Sequence, residues 1–497
     1  MFVSEGMQEI NTLKKLKQTN YQSLTIKDEM RKNLIRFLGS GQNPFEGIYG
    51  YEDTVLPQLK TAILSRHNII LLGLRGQAKT RIARLMVNLL DEYIPVVEGS
   101  EINDDPLNPI SSYAKNLIEK YGDDTPISWL HRDERFAEKL ATPDVSIADL
   151  IGDIDPIKAA NLKLHYNDER VLHYGLIPRS HRCIFVINEL PDLQARIQVA
   201  LFNILQEGDI QIRGFKLRLP LDVAFVFTAN PEDYTNRGSI VTPLKDRIDS
   251  QILTHYPKTI EVAKSITLNE ANITDEQRNN ITVDDILLEL IEQIAFEARQ
   301  SDLIDQKSGV SARLTISALE NLYSSAEIRM LQCGELKTYA RISDLFGVLP
   351  SITGKVELVY EGELEGASNV AYNLIDKAIR TVFTRYFPNP DKMKKVKELS
   401  DYYHVINWFN DGNEIAILNN ASQKVYEKNL NSVNSLADVI DRNYVDKKIN
   451  KAKKLLLMEF VLHGLASYSS IGKKSISAGF EFKDLMSGMF SKKNIDD

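Results

Sequence analysis

The chain has 497 residues, a formal net charge of −8 and two cysteines, Cys183 and Cys333, that lie far apart. That length allows several domains with ample core, and the acidic balance argues against a nucleic-acid carrier, which carries a basic surplus. The cysteines make no disulfide framework and the eight histidines no His-x-x-x-His or His-Glu-x-x-His spacing, which excludes a zinc site of that kind and fits a reducing, cytoplasmic location.

In chain order, residues 1–9 lack the basic-then-apolar pattern of a leader. Residues 1–40 read as a helical lead-in, with Met30, Leu34, Ile35 and Leu38 at helical spacing. Gly47-Ile48-Tyr49-Gly50-Tyr51 then breaks into a helix carrying Val55, Leu59, Ile63 and Leu64. The apolar run Asn68-Ile69-Ile70-Leu71-Leu72 leads into Gly73-Leu74-Arg75-Gly76-Gln77-Ala78-Lys79-Thr80. Ile82, Leu85, Met86, Leu89 and Leu90 follow on one helical face.

Strand, glycine-bearing turn and Lys-Thr opening a helix is the Walker A arrangement. Successive backbone N–H groups of such a turn wrap a phosphate chain. Lys79 adds a point charge at the β- and γ-phosphates, and the Thr80 hydroxyl can ligate Mg²⁺. ATP and Mg²⁺ are therefore the expected ligands. Ala78 stands where the last glycine is usual. Ile48 and Tyr49, in the short apolar turn ahead of the loop strand, suit the wall of a base pocket, and plain packing explains them equally well.

A second core strand is expected at Ile94-Pro95-Val96-Val97. The chain then becomes irregular, punctuated by Asp104, Asp105, Pro106, Pro109, Pro126 and Pro143, with a short hairpin-like or strand-like piece at residues 170–178. Cys183-Ile184-Phe185-Val186-Ile187-Asn188-Glu189 reads as a buried parallel strand with a polar, acidic tip. Ligands sit at such tips in open α/β sheets. Lys79 and Glu189 are 110 residues apart, whereas two plain βα units need roughly 60. An insertion at about 100–180 is implied.

Ile197, Leu201, Ile204 and Leu205 mark a helix ending at Gly208, and residues 209–219 alternate like a hairpin. A buried strand at 222–229 ends at Asn230; Pro243-Leu244-Lys245-Asp246-Arg247 and strand-like Gln251-Ile252-Leu253 follow. From about 258 the period is helical, with a stripe of Val283, Ile286, Leu287, Leu290, Ile291 and Ile294 and a helix opening near Arg313. Residues 455–465 are the most apolar late run. Glu459 and His463 interrupt it and it is too short to span a bilayer, so it reads as a buried helix and no membrane span is expected. Tyr402, Tyr403, Trp408 and Phe409, with Lys392, Lys394, Lys395 and Lys397, fit a partner surface or, with more weight, a packed helical domain with a charged face. The polar tail at 491–497 is expected to be disordered.

The order of the polar tips suggests chemistry. Glu189 has the placement of the acid that orients and deprotonates an attacking water. Asn230 suits holding that water or the γ-phosphate. Arg247, at the edge of the domain, suits a finger for a neighbouring subunit, and Arg313, opening a lid helix, suits a γ-phosphate contact.

These motifs resemble the AAA+ ATPases of the MoxR and magnesium-chelatase ATPase-subunit (ChlI/BchI-like) clade. The likeness rests on residues 73–80 with Ala78, 184–189, 227–231, 244–247 and 309–313, on the insertion and on the 209–219 hairpin, and covers about residues 45–350. It implies an α/β P-loop NTPase fold: a lead-in at 1–40, an αβα core with a parallel sheet at 41–257, an all-α lid at 258–354 and a mostly helical C-terminal domain at 355–497. It also implies a homo-oligomeric ring, usually a hexamer, working with a partner that carries a von Willebrand A-type domain. By resemblance Lys79 and Thr80 are Walker A, Glu189 Walker B, Asn230 sensor 1, Arg247 the finger and Arg313 sensor 2. Asn188 replaces the clade's Walker B aspartate, which leaves an amide oxygen without charge beside Mg²⁺. The expected function is an ATP-hydrolysing motor or chaperone that remodels a protein; a Mg²⁺ or Co²⁺ chelatase subunit and an ATP-gated scaffold that does not hydrolyse are the alternatives.

Overall fold

Strands that are buried at every position are covered on both faces, and three such strands form the middle of a five-stranded parallel sheet. In the computed structural model, which describes residues 9–163, 171–211, 218–231, 240–393, 401–444, 449–476 and 479–485, the sheet strands are β1 (Ile69–Leu72), β2 (Phe136–Leu140), β3 (Cys183–Asn188), β4 (Val223–Ala229) and β5 (Ser250–Leu253). Their spatial order is β5-β1-β4-β3-β2 and every pairing is parallel. The chain divides into two units, Met1–His255 and Tyr256–Asp497, and the sheet belongs to the first.

Alternate residues of the sheet feed two cores. Ile69, Leu71, Ile184, Val186 and Val226 face α1 (Ile26–Ser40), α2 (Val55–Leu64) and α3 (Lys79–Leu85). Ile70, Leu72, Phe185, Ile187 and Phe227 face the other way, onto Ile197, Leu201 and Ile204 of α4 (Ala195–Glu207). The result is the expected αβα sandwich. The lead-in is built into it: Ile26, Met30 and Leu34 are core residues. Buried Glu29 of α1 also receives both Arg135 Nη atoms at 2.7 Å. Such a desolvated, bidentate pair is destabilising if either partner is lost.

One expected strand is corrected. Ile94-Pro95-Val96-Val97 is extended but lies outside the central sheet; Tyr93–Val97 pairs antiparallel with Ile127–His131. The second core strand is β2, an edge strand whose residues are only partly buried. The extra chain is consequently split in two. One stretch lies between α3 and β2 and holds the Tyr93–Val97 pair and the helix Ser112–Tyr121. The other lies between β2 and β3 and holds Gly152–Ile154 paired antiparallel with Leu172–Tyr174. The hairpin expected at 209–219 is present as Asp209–Gln211 against Arg218–Pro220, and its turn lies outside the described residues. α4 ends as expected at Gly208, whose φ of 67° favours a residue without Cβ.

The second unit is mainly helical, with α5 (Asp285–Arg299), α6 (Arg313–Gln332), α7 (Ala367–Tyr386) and α8 (Lys451–Ser467). The expected lid and C-terminal portions share one core that runs in sequence from Ala271 to Phe482. Residues 455–465 are buried in α8. Its Glu459 accepts the backbone N–H groups of Ile342 and Ser343 and the Tyr426 hydroxyl, which pairs its buried oxygens while burial still holds the carboxyl above the usual range. Tyr402 and Phe409 are core residues rather than surface; Lys394, Lys395, Lys397 and the tail at 491–497 lie outside the described residues. Among the described residues no helix is long and apolar enough to cross a membrane.

A buried histidine gives the first unit a pH signature. His181 is 5% exposed and its Nδ1 accepts the Asp222 backbone N–H at 2.9 Å. Burial, and then the Arg182 charge, push its imidazole from 6.5 down to about 4. The unfolded chain takes up that proton below pH 6.5 and the folded chain does not, so stability is lost as pH falls from 6.5 to about 4. Burial pushes the Asp222 carboxyl up to about 6, which has the opposite slope, so the two must be separated by a variant. In His181→Asn, denaturant unfolding should show stability relative to wild type rising by about 3 kcal/mol between pH 6.5 and 4; a difference independent of pH contradicts this.

Candidate functional site

Sheet register assembles the site. Leu72 lies opposite Ala229, and the Gly73 N–H donates to the Ala229 carbonyl at 3.1 Å. On the other side of β4, Phe227 lies opposite Ile187. The residues that leave the strand ends, Gly73, Asn230 and Glu189, therefore emerge side by side at the C-terminal edge. The Glu189 backbone N–H donates to Thr228 Oγ1 at 3.1 Å, which fixes that tip. Glu189 is left-handed at φ 52°, ψ 50°, an uncommon conformation for a residue with a side chain.

The loop at 73–78 is held from two directions. Buried Gln77 accepts the Thr254 hydroxyl at 2.7 Å through Oε1, and its backbone carbonyl accepts the Tyr51 hydroxyl at 3.0 Å. Tyr51 also donates to the His255 carbonyl, and its ring meets the His255 ring edge-on at 5.0 Å. A Cβ at Gly73 would overlap Thr254 Oγ1 and Gln77 Oε1, so only glycine fits there. Gly76 has φ 72° and Ala78 φ 55°. The backbone thus takes the left-handed turn that the missing glycine would ease, at a cost of roughly 1–2 kcal/mol for Ala78.

Lys79 opens α3 and is 7% exposed. Its Nζ donates to the Gly73 carbonyl and to the Leu74 carbonyl at 3.2 Å. Burial lowers its pKa, and the charge of Glu189 works against that shift, so the two groups sense each other. Thr80 is the second residue of α3. The tight, glycine-requiring turn, the helix start and the buried ammonium together fit a phosphate chain.

The remaining expected residues fall into three groups. Ile48 and Tyr49 stand beside α3: a Cβ at neighbouring Gly47 would come within 2.9 Å of Arg81 Nη2. Ile48 is buried in the α3-side core and Tyr49 is 38% exposed. Arg247 is engaged with α4 and its own turn: Gln206 Oε1 accepts from Nε at 3.0 Å and from Nη2 at 2.6 Å, the Pro243 carbonyl accepts from Nη1, and the guanidinium lies 5.2 Å from the Phe202 ring. Arg313 opens α6 in the second unit and is exposed.

Asn188 shows what sequence reasoning missed. Its Nδ2 donates to Glu138 Oε1 at 2.6 Å and its Oδ1 accepts the Thr228 hydroxyl at 3.1 Å. Glu138 lies on β2, and its other oxygen takes Arg84 of α3 at 2.9 and 3.1 Å. No motif marks Glu138, because its place beside Asn188 comes from the pairing of β2 with β3. Tyr51 and Thr254 carry no motif either. Among the described residues no group of three or more His, Cys, Asp or Glu is arranged to hold a metal.

No family model matches the chain. It is 25% identical over 278 residues to the magnesium-chelatase subunit ChlI homolog of Methanocaldococcus jannaschii, an alignment covering 51% of this chain and 73% of that protein. Among solved structures, NtrX of Brucella abortus is similar with 13% identity and a TM-score of 0.34, over 56% of this chain and 52% of NtrX, about half its length. A chain in the complex between subunits BchI and BchD of magnesium chelatase is similar with 19% identity and a TM-score of 0.34, over 69% of this chain and 95% of that one. TM-scores this low add nothing to the site. The chain is thus similar in sequence to a ChlI homolog over about half its length, and it carries a phosphate-type loop on a parallel β5-β1-β4-β3-β2 sheet.

Proposed function

We propose that the chain binds ATP at residues 73–80 and hydrolyses it with Glu189 as the water-activating base, driving the remodelling of a protein partner. The observation that carries this is the register: parallel pairing of β1, β4 and β3 delivers Gly73, Asn230 and Glu189 to one edge, beside buried Lys79. Lys79 and the loop amides would hold the phosphates, and the Thr80 hydroxyl would be a Mg²⁺ ligand. Mg²⁺ takes most of its octahedral oxygens from phosphate and water, and when bound it offsets phosphate charge. Asn230 would orient the water or the γ-phosphate, and Ile48 and Tyr49 would border the base. Arg247 would act on a neighbouring subunit's nucleotide in a head-to-tail ring, most simply a hexamer, and Arg313 on the chain's own. A partner with a von Willebrand A-type domain and a cytoplasmic setting belong to the same reading.

The relationship to a ChlI homolog supports a second reading, an ATPase subunit of a metal chelatase. Asn188 supports a third, an ATP-gated scaffold with little turnover. Measured turnover separates the scaffold from the motor.

Glu189→Gln should keep ATP affinity within about twofold and reduce phosphate release by about 10²–10⁴-fold; unchanged release removes Glu189 from the mechanism. Gly73→Ala should weaken ATP binding and cost about 1–3 kcal/mol of stability. Thr254→Ala in the same chain should recover part of that stability, because it removes one of the two overlapping groups; strictly additive losses in a double-mutant cycle contradict the overlap.

A further inference from the structure

We infer that Glu138 on β2 supplies the negative charge that position 188 lacks, and so is the anionic acceptor for a water of the Mg²⁺ that would accompany ATP. This rests on the reading that residues 73–80 hold the nucleotide.

The hydrogen-bond directions are forced. A carboxylate only accepts, so the Asn188 atom 2.6 Å from Glu138 is the amide nitrogen, and the amide oxygen is turned to the Thr228 hydroxyl. Asn188 is 8% exposed. The pair lies on the α3 face of the sheet, because Val186, Val226 and Ala83 are all in that core and Asn188 and Thr228 follow the two valines by two residues. Arg84 of α3 holds the second Glu138 oxygen. Thr80 is four residues before Arg84, hence one turn earlier on the same helical face. Glu138 is thus tied to the stretch of α3 that begins with the expected Mg²⁺ ligand, and its side chain keeps 23% exposure.

The exchange also explains why 188 is not aspartate. Two carboxylates at the Glu138–Asn188 separation could not both ionise and would share a proton. Asn188 with Glu138 keeps one carboxylate at the site, shared with the largely exposed Arg84, and lets the amide orient it. The lone pair that remains on Glu138 Oε1 would be available to a metal-bound water, an interaction of the outer shell that tunes ion affinity.

The test uses the intact chain, AMP-PNP as the probe and MgCl₂ as the titrant. Binding is first measured by calorimetry in EDTA, then as a function of Mg²⁺. Glu138→Gln should leave the EDTA affinity within about twofold and raise the half-saturating Mg²⁺ about 10–100-fold, the range for loss of an outer-shell partner. The exchanged pair, Glu138→Gln with Asn188→Asp, restores one charge at the other position and should return the Mg²⁺ dependence toward wild type. Asn188→Asp alone should gain little at neutral pH. Wild-type Mg²⁺ dependence in Glu138→Gln, or no recovery in the exchanged pair, overturns the inference. Loss of AMP-PNP binding by Glu138→Gln even in EDTA also overturns it, since Glu138 would then only support the loop. Should Glu138→Gln not fold, the exchanged pair decides alone. A wild-type chain that binds no AMP-PNP in either condition defeats the nucleotide reading itself.

Discussion

The register of β4 against β1 and β3 is the constraint on which the site depends. Side chains along a strand alternate with period two, so a slip of one residue would exchange the two faces. Here it would turn Val226 and Thr228 away from α3 and Phe225 and Phe227 away from α4. Both faces are buried and differ in what covers them, which makes such a slip costly. The same lock that fills two cores also sets Gly73, Asn230 and Glu189 at one edge. Packing energy and site geometry are therefore one property of the sheet.

Hydrogen bonding then refines what register places. Thr228 serves two neighbours at once, accepting the Glu189 N–H and donating to Asn188. Gln77 and Thr254 hold the loop from the β5 side, and Tyr51 holds it from the turn before α2. The left-handed conformations at Ala78 and Glu189 persist because these neighbours over-determine them. Lys79, buried with the Gly73 and Leu74 carbonyls as partners and the charge of Glu189 opposing the effect of burial, is poised to gain from an added anion.

Much of this was legible in the residues. β1, β3 and β4 are continuous apolar runs, and a run buried on both faces has few other fates. Glycine spacing and Lys-Thr marked the loop, and polar tips marked Asn188, Glu189 and Asn230. β2 was not legible, because an edge strand reading Phe-Ala-Glu-Lys-Leu has neither a full apolar run nor a clean alternation, while the more apolar Tyr93–Val97 belongs to an antiparallel pair. Glu138 was hidden for the same reason: its meaning depends on which strand lies beside it. Arg247 was marked by its place in the motif order, yet within one chain its contacts are with α4. Arg313 belongs to a unit with its own core.

The proposed chemistry requires that a triphosphate end between Lys79 and Glu189. A crystal structure of the intact chain with AMP-PNP and Mg²⁺ tests that directly. The γ-phosphate should contact Lys79 Nζ and face the Glu189 carboxylate, with the β-phosphate against the backbone N–H groups of residues 76–80. Nucleotide bound elsewhere, or a Glu189 side chain turned away from the γ-phosphate, would contradict the account.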